Sequence, residues 1–309
     1  MSKPMQFLRV NQWKWLAIWL AAFAPSNFAQ AQTSKQLLSR VAVIGASFSA
    51  GAGHTHELGA HASLAPFVQS IFQAEALGTQ AVKPLNRGSF LSFTRPTLFG
   101  GIQVQAALKH KASLVIGLDF LFWYAHGFLG EKARMERLEL GLAELDKLPC
   151  PILLGDLPDI RFALDGTSRL TGGPLIRSSM LPSPELLAAL NERIRAWAAQ
   201  RPRVTLAPLA SFVAKVHAGE KIDLQGASMA PRKFEDLIQT DLLHPTVDGA
   251  LTLLVMAADA LVMARPELAP ADVVWDLDTA RQRLLTRIEP RRAQAQARQE
   301  RIKRLRGQS

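Results

Sequence analysis

Short apolar runs recur along the chain, each followed by a stretch of helical length. Residues 41–44, 114–117, 152–155 and 204–206 read as strands closed by turn signals, with a weaker run near 81–85. Between them the apolar period changes from two to about 3.6. Residues 64–77 place Phe67, Ile71, Ala74 and Leu77 on one face, and 100–111 and 132–148 repeat that spacing. A further helix is expected from Pro184, with Ser183 as its N-cap and Glu185 in its first turn. Strands separated by helices predict an α/β chain whose parallel sheet is covered on both faces. In such sheets the ligand crevice lies at the carboxyl ends of the strands.

Residues 246–263 predict a late helix that is apolar almost all round. Asp248 and Asp259 within it argue for packing onto the sheet rather than a membrane span. After Pro270 the chain turns polar, and 271–309 is rich in Arg, Gln and Ala, the composition of a solvated tail that is helical or disordered.

The net charge of +10 over 309 residues suggests a nucleic-acid partner until it is mapped. Residues 1–31 hold +3 and residues 287–309 hold +6, which leaves +1 for the body between them. A nearly neutral body offers no broad phosphate-binding face. At the first end, Lys3, Arg9 and Lys14 precede the uncharged run 15–24. Pro25 and Ser26 break that run, and Ala29 and Ala31 place small residues before a cleavage point. This order predicts a secretory signal removed after Ala31, and hence a periplasmic or secreted protein. The run is too short for a span, which needs about 20 apolar residues. Cys150 is the single cysteine, so no intrachain disulfide can form, and it is expected to serve as a small buried hydrophobe. The organisation predicted is a signal at 1–31, one domain at 32–270 and a basic tail at 271–309. That tail suits electrostatic contact with an anionic component of the cell envelope.

Two stretches carry chemistry. In "VAVIGASFSAG" the first strand runs into a Gly/Ala/Ser turn that presents Ser47 at the strand's carboxyl end. In "QTDLLHPTVDGA" Asp241 and His244 stand three apart, just before the last apolar helix. Serine chemistry needs an imidazole to take the hydroxyl proton and a carboxylate to fix the ring's tautomer. A turn with this spacing can set Asp241 on one nitrogen of His244 and leave the other for Ser47.

In these blocks the chain resembles the SGNH (GDSL-type) hydrolases, over about residues 39–264. The resemblance implies a three-layer α/β/α flavodoxin-like fold with a mainly parallel five-stranded sheet. It also implies an ester hydrolase working through an acyl-enzyme, with Ser47 as nucleophile, His244 as base and Asp241 as its orienting acid. No metal or organic cofactor is implied. "LVIGLDFLFW" falls where the family's third block lies, and "CPILLGDLPDI" is similar to the strand and loop that follow. The resemblance places the oxyanion donors at the backbone of Ser47, at Gly88 and at Asp119. Two positions depart from the family. Ala46 replaces the acid before the serine. Asp119 replaces the Asn whose side chain donates to the oxyanion, and an ionised carboxylate has nothing to donate. At ~4 Å it would oppose the oxyanion by about 4 kcal/mol at an effective dielectric near 20. Three states are open to Asp119: protonated and donating within an apolar site, turned away into a structural hydrogen bond, or ionised in a weakened site. The chain therefore reads as an exported ester hydrolase acting on a small-molecule, polysaccharide-linked or lipid-linked ester. The alternative is an impaired binding protein of the envelope on the same scaffold.

Other clusters compete less well. His54, His56, Glu57 and His61 have the residue types of a zinc site without a partner motif, and are expected in a polar loop lining the crevice. His110, His126 and His217 are isolated and expected at the surface or in turns. Trp123 and Tyr124, in an aromatic run, are candidates for the pocket wall.

Overall fold

The computed structural model describes residues 33–78, 83–224, 228–229 and 231–306. The expected signal segment lies outside them, as does the start of the weak run near 81. Five strands form one parallel sheet: β1 (Val41–Val43), β2 (Leu85–Asn86), β3 (Leu114–Gly117), β4 (Ile152–Gly155) and β5 (Val204–Ala207), in the order β2-β1-β3-β4-β5. Ala42 pairs with Leu85 on one side and Val115 on the other, and Leu153 lies between Ile116 and Thr205. This is the flavodoxin-like order, the fold that the resemblance implied.

Eight helices carry most of the packing: α1 (Ser47–Ala50), α2 (Leu64–Ile71), α3 (Pro96–Lys109), α4 (Glu131–Asp146), α5 (Pro184–Ala199), α6 (Leu209–His217), α7 (Val247–Ala264) and α8 (Leu277–Arg306). Strand alternation divides the core into two layers of side chains. Val43, Ile116 and Leu153 face α2, α6, α7 and α8. Ala42, Ile44, Val115 and Leu154 face the other way, onto Val104, Leu138 and Leu190 of α3, α4 and α5. Both sheet faces are thus apolar and covered, which is why the strands read as continuous hydrophobic runs. Helix α5 starts as its sequence predicts, with Ser183 Oγ accepting from Leu186 N–H and Pro184 at its first position. Helix α7 is long and apolar enough to span a bilayer, but it packs on β5 and against α2 and α8 as a core helix.

The predicted domain limit at 270 falls inside the body. From Thr33 onward the chain is one compact unit, and Val273, Val274, Ala280, Leu284 and Ile288 are buried in the same core as α2 and α7. The first turns of α8 are a core element. Their apolar residues, Leu277, Ala280, Leu284, Leu285 and Ile288, recur at helical spacing among more numerous polar and charged ones, so composition hid them.

Candidate active site

The strand order reverses between β1 and β3, and the crevice of such a sheet opens where the carboxyl ends of those strands part. Ser47 and Asp119 stand there, one just after each strand. Gly45 has φ +147°, and a Cβ on it would come within 2.0 Å of Asp119 Oδ1, so the chain can turn out of β1 only through glycine. Ala46 is buried beside Trp123, Ile160 and Met180. A small apolar residue is what that cluster accepts where the resembled family has an acid.

Buried polar side chains brace the turn. Gln103 lies on the buried stripe of α3 with Gly100, Val104 and Ala107. Its Oε1 accepts from Gly45 N–H at 2.8 Å and its Nε2 donates to Gly45 O at 2.9 Å. Ser49 Oγ lies 3.1 Å from Ile44 O and 2.5 Å from Asp119 Oδ1, while Ser49 N–H donates to Asp119 Oδ2 at 3.2 Å. Asn86 Nδ2 donates to Ser49 O at 2.8 Å. Sequence reading missed all three braces. Gln103 alone left a signal, as a polar residue in an apolar helical stripe.

From the far end of the chain, Asp241 folds its own turn. Oδ1 accepts the N–H groups of Leu243 and His244, each at 2.9 Å, and Leu242, next after Asp241, takes φ +52°. A leucine in the left-handed region is held there by its surroundings. Gln239 ties this turn to the serine segment, its Nε2 donating to Ala52 O at 2.9 Å and to Pro245 O at 2.8 Å. Asp241 Oδ2 then lies 2.8 Å from His244 Nδ1, and His244 Nε2 lies 2.8 Å from Ser47 Oγ. Asp241 and His244 are buried, while Ser47 stays partly open to solvent.

The charges follow from these contacts. Burial alone would raise the Asp241 carboxyl. The bond and charge of the His244 ring, with the two backbone amides, outweigh it and leave the carboxyl below its ordinary range. Burial raises the Asp119 carboxyl, against the hydrogen bonds of Ser49, which pull it down. Asp156, after β4, is likewise raised by burial, and its Oδ1 accepts from Ala210 N–H at 2.7 Å at the start of α6.

The expected oxyanion donors separate. The N–H of Ser47 has no acceptor among the described residues. Gly88 does not serve as expected. Its N–H donates to Asn86 Oδ1 at 3.1 Å, and a Cβ on it would come within 2.5 Å of the Ser49 backbone, so its glycine allows β2's exit to pack on α1. Asp119 adopts the second of its three states, its carboxyl turned into the Ser49 bonds.

A cavity of about 990 Å³, counting its open mouth, begins at Ser47 and His244 and runs between α6 and α7. Its wall includes Phe122. The two predicted aromatics lie elsewhere: Trp123 packs on Ala46, and Tyr124 packs among the residues between the sheet and α4. The histidine cluster is not a crevice loop. His54 is fully buried, packs at a tilt on Phe67 with ring centres 4.8 Å apart and is held neutral, its pKa lowered to about 4 mainly by burial. Glu57 instead accepts from Val247 N–H at the start of α7, while His56 and His61 are exposed. His126 is buried against Phe122 rather than in a surface turn, at 4.3 Å between ring centres. His217, exposed, stacks on Phe162. Cys150 is buried and unpaired.

No protein-family model matches the sequence, and no curated protein is similar to it. Among solved structures it is similar to TesA, at 16% identity and a TM-score of 0.44 over 74% of this chain and 99% of that one. It is also similar to a GDSL-like lipase from Bacteroides thetaiotaomicron, at 15% identity and a TM-score of 0.43 over 80% and 98%. Likeness of that depth decides nothing about chemistry. The geometry must carry it.

Proposed function

We propose that the chain is a serine ester hydrolase of the SGNH type. One observation carries this reading: the unbroken hydrogen-bonded line from Asp241 through His244 to Ser47, assembled from two segments 197 positions apart. In the reaction Ser47 Oγ attacks the ester carbonyl carbon while His244 Nε2 takes its proton. The tetrahedral intermediate collapses, the C–O bond breaks, and the alcohol leaves with the proton from His244. Water then attacks the acyl-serine by the same route, returning Ser47 and releasing the acid. Asp241 holds the Nδ1–H tautomer and balances the imidazolium. The Ser47 N–H, left without an acceptor among the described residues, is the oxyanion donor. The signal-like first 31 residues support action outside the cytoplasm.

A second reading, a binding protein on this scaffold, rests on Asp119, which supplies a carboxyl where a side-chain donor would serve. A fluorophosphonate probe separates the two. The hydrolase labels at one serine, and the label is absent from Ser47→Ala. A folded wild-type protein that takes no label is the binding protein.

A further inference from the structure

The depth and lining of the cavity speak to the substrate. Both helices that wall it start at the carboxyl edge of the sheet, beside the triad, and lead away from it. On α6 the lining runs from Leu209 to Val216, seven steps of ~1.5 Å, or about 10.5 Å. On α7 it runs one turn, from Gly249 to Leu253. Along this length the wall is Phe212, Val213, Val216, Leu237 and Leu253, without a polar side chain. The polar groups of the cavity are confined to its mouth end. There Asp156 is taken by Ala210 N–H, Asp119 by Ser49, and Ser47 with His244 by each other.

We propose that this channel holds the linear acyl chain of the ester, about eight carbons deep, and that Val213 and Leu253 set that depth. The inference rests on the hydrolase reading. An extended alkyl chain advances about 1.25 Å per carbon, from C–C bonds of ~1.5 Å at tetrahedral angles, so about eight carbons match the α6 wall. An acetyl group would leave most of that wall unfilled. A sugar ring there would lose its hydrogen bonds to water with none to replace them. Phe162, from the loop after β4, also lines the cavity, set edge-on against Phe234 at 5.0 Å. Val213 and Leu253 are only partly buried by their own packing, so each has a face left for a ligand.

The test is a series of p-nitrophenyl esters from acetate to palmitate, read as kcat/KM. Each added methylene should raise it about fourfold, the effect of burying one CH₂, up to about C8, with no gain beyond about C10. Leu253→Trp, and separately Val213→Phe, should move the optimum to C4 or shorter. A profile that is flat or falls from acetate, a benzoate ester preferred over octanoate, or folded variants that lose all chain lengths in parallel would overturn the inference. Calorimetry on Ser47→Ala keeps it distinct from the hydrolase reading. Octanoate that binds, and binds at least tenfold more weakly after Leu253→Trp is added, supports the channel even where no ester is cleaved. Octanoate that fails to bind this protein, with no ester cleaved by the wild type, overturns it.

Discussion

Ser49 Oγ lies 2.5 Å from Asp119 Oδ1 and, on its other side, 3.1 Å from the carbonyl of Ile44. A hydroxyl has one proton and cannot donate to both. With Asp119 ionised, Ser49 must serve the carboxylate and leave the Ile44 carbonyl without it. With Asp119 protonated, the acid donates to Ser49 Oγ, Ser49 donates to Ile44, and Oδ2 still accepts the Ser49 N–H. Every group is matched only in the neutral state, which is also the state that burial favours.

Asp119→Asn should therefore fold. The amide Nδ2 replaces the acid proton on Ser49 Oγ, and the amide oxygen keeps the Ser49 N–H. The native Asp119 carboxyl has its pKa raised above that of the unfolded chain. Its favourable contribution is full below the unfolded pKa and is lost as pH rises through the folded one. The melting temperature of the Asn variant relative to wild type should thus increase with pH. Ionisation also sets a negative charge beside the nucleophile, so wild-type kcat/KM should fall as pH rises, and Asp119→Asn should flatten that fall. Identical pH profiles for the two proteins would separate Asp119 from catalysis.

Asp241→Asn should leave the turn standing and remove its chemistry. The Asn oxygen can accept the Leu243 and His244 amides that Oδ1 now holds at 2.9 Å. Its NH₂ then faces Nδ1 and selects the wrong tautomer, turning an N–H toward Ser47. A loss in kcat of about 10⁴ is expected, with the melting temperature at neutral pH reduced by only a few degrees. The Asp241 carboxyl is depressed in the fold, so its stabilisation is present above the unfolded pKa and lost as pH falls through the folded one. Acid unfolding of the variant should accordingly be shallower than that of wild type, by thermal melts across pH 2–5.

The fold was legible because its signals are local. Strands β1, β3 and β4 are apolar on both faces, and Ser183, Pro184 and Gly45 mark ends and turns by their own backbone preferences. The hydrogen-bonded line of the proposed triad was legible for a similar reason: Asp241 and His244 share a turn, and Ser47 follows the first strand. What stayed hidden depends on contacts across the fold. Nothing adjacent to Gln103 shows that it pairs with Gly45, and nothing adjacent to Gly88 shows that the Ser49 backbone packs against it. Asp119 carried the opposite difficulty, since its residue type allowed three states and only the position of Ser49 selects among them. Residues 277–288 read as part of a tail because polar and charged side chains outnumber apolar ones there, although Ala280, Leu284 and Ile288 fall on one buried stripe.

Gln103→Leu keeps volume and removes hydrogen bonds. The Gly45 N–H, buried and paired with Oε1 at 2.8 Å, would lose its acceptor, while the carbonyl keeps Ser89 N–H at 3.1 Å. One orphaned buried amide costs about 1–3 kcal/mol, or about 2–10 °C in melting temperature for a chain of this size. The turn that presents Ser47 would also lose its anchor to α3. Activity should fall more than stability explains, about 10–100-fold in kcat, at a temperature where circular dichroism shows the variant folded. A kcat within twofold of wild type would make the brace structural alone.

The end of α8 supplies the last prediction. Ile288 is fully buried, whereas beyond Pro290 the helix is largely exposed and strongly basic. Proline inside a helix lacks one N–H and crowds the preceding turn, so the turns after it add little that the core needs. A chain ending at residue 290 should melt within about 2 °C of the full-length protein. Ile288→Ala should cost about 2–5 kcal/mol through the cavity it opens beside α2 and α7, read by urea denaturation at unchanged m-value. If the truncation proved as costly as Ile288→Ala, the basic turns would be holding the body together, and the packed domain would have to be drawn to the end of α8 rather than to Ile288.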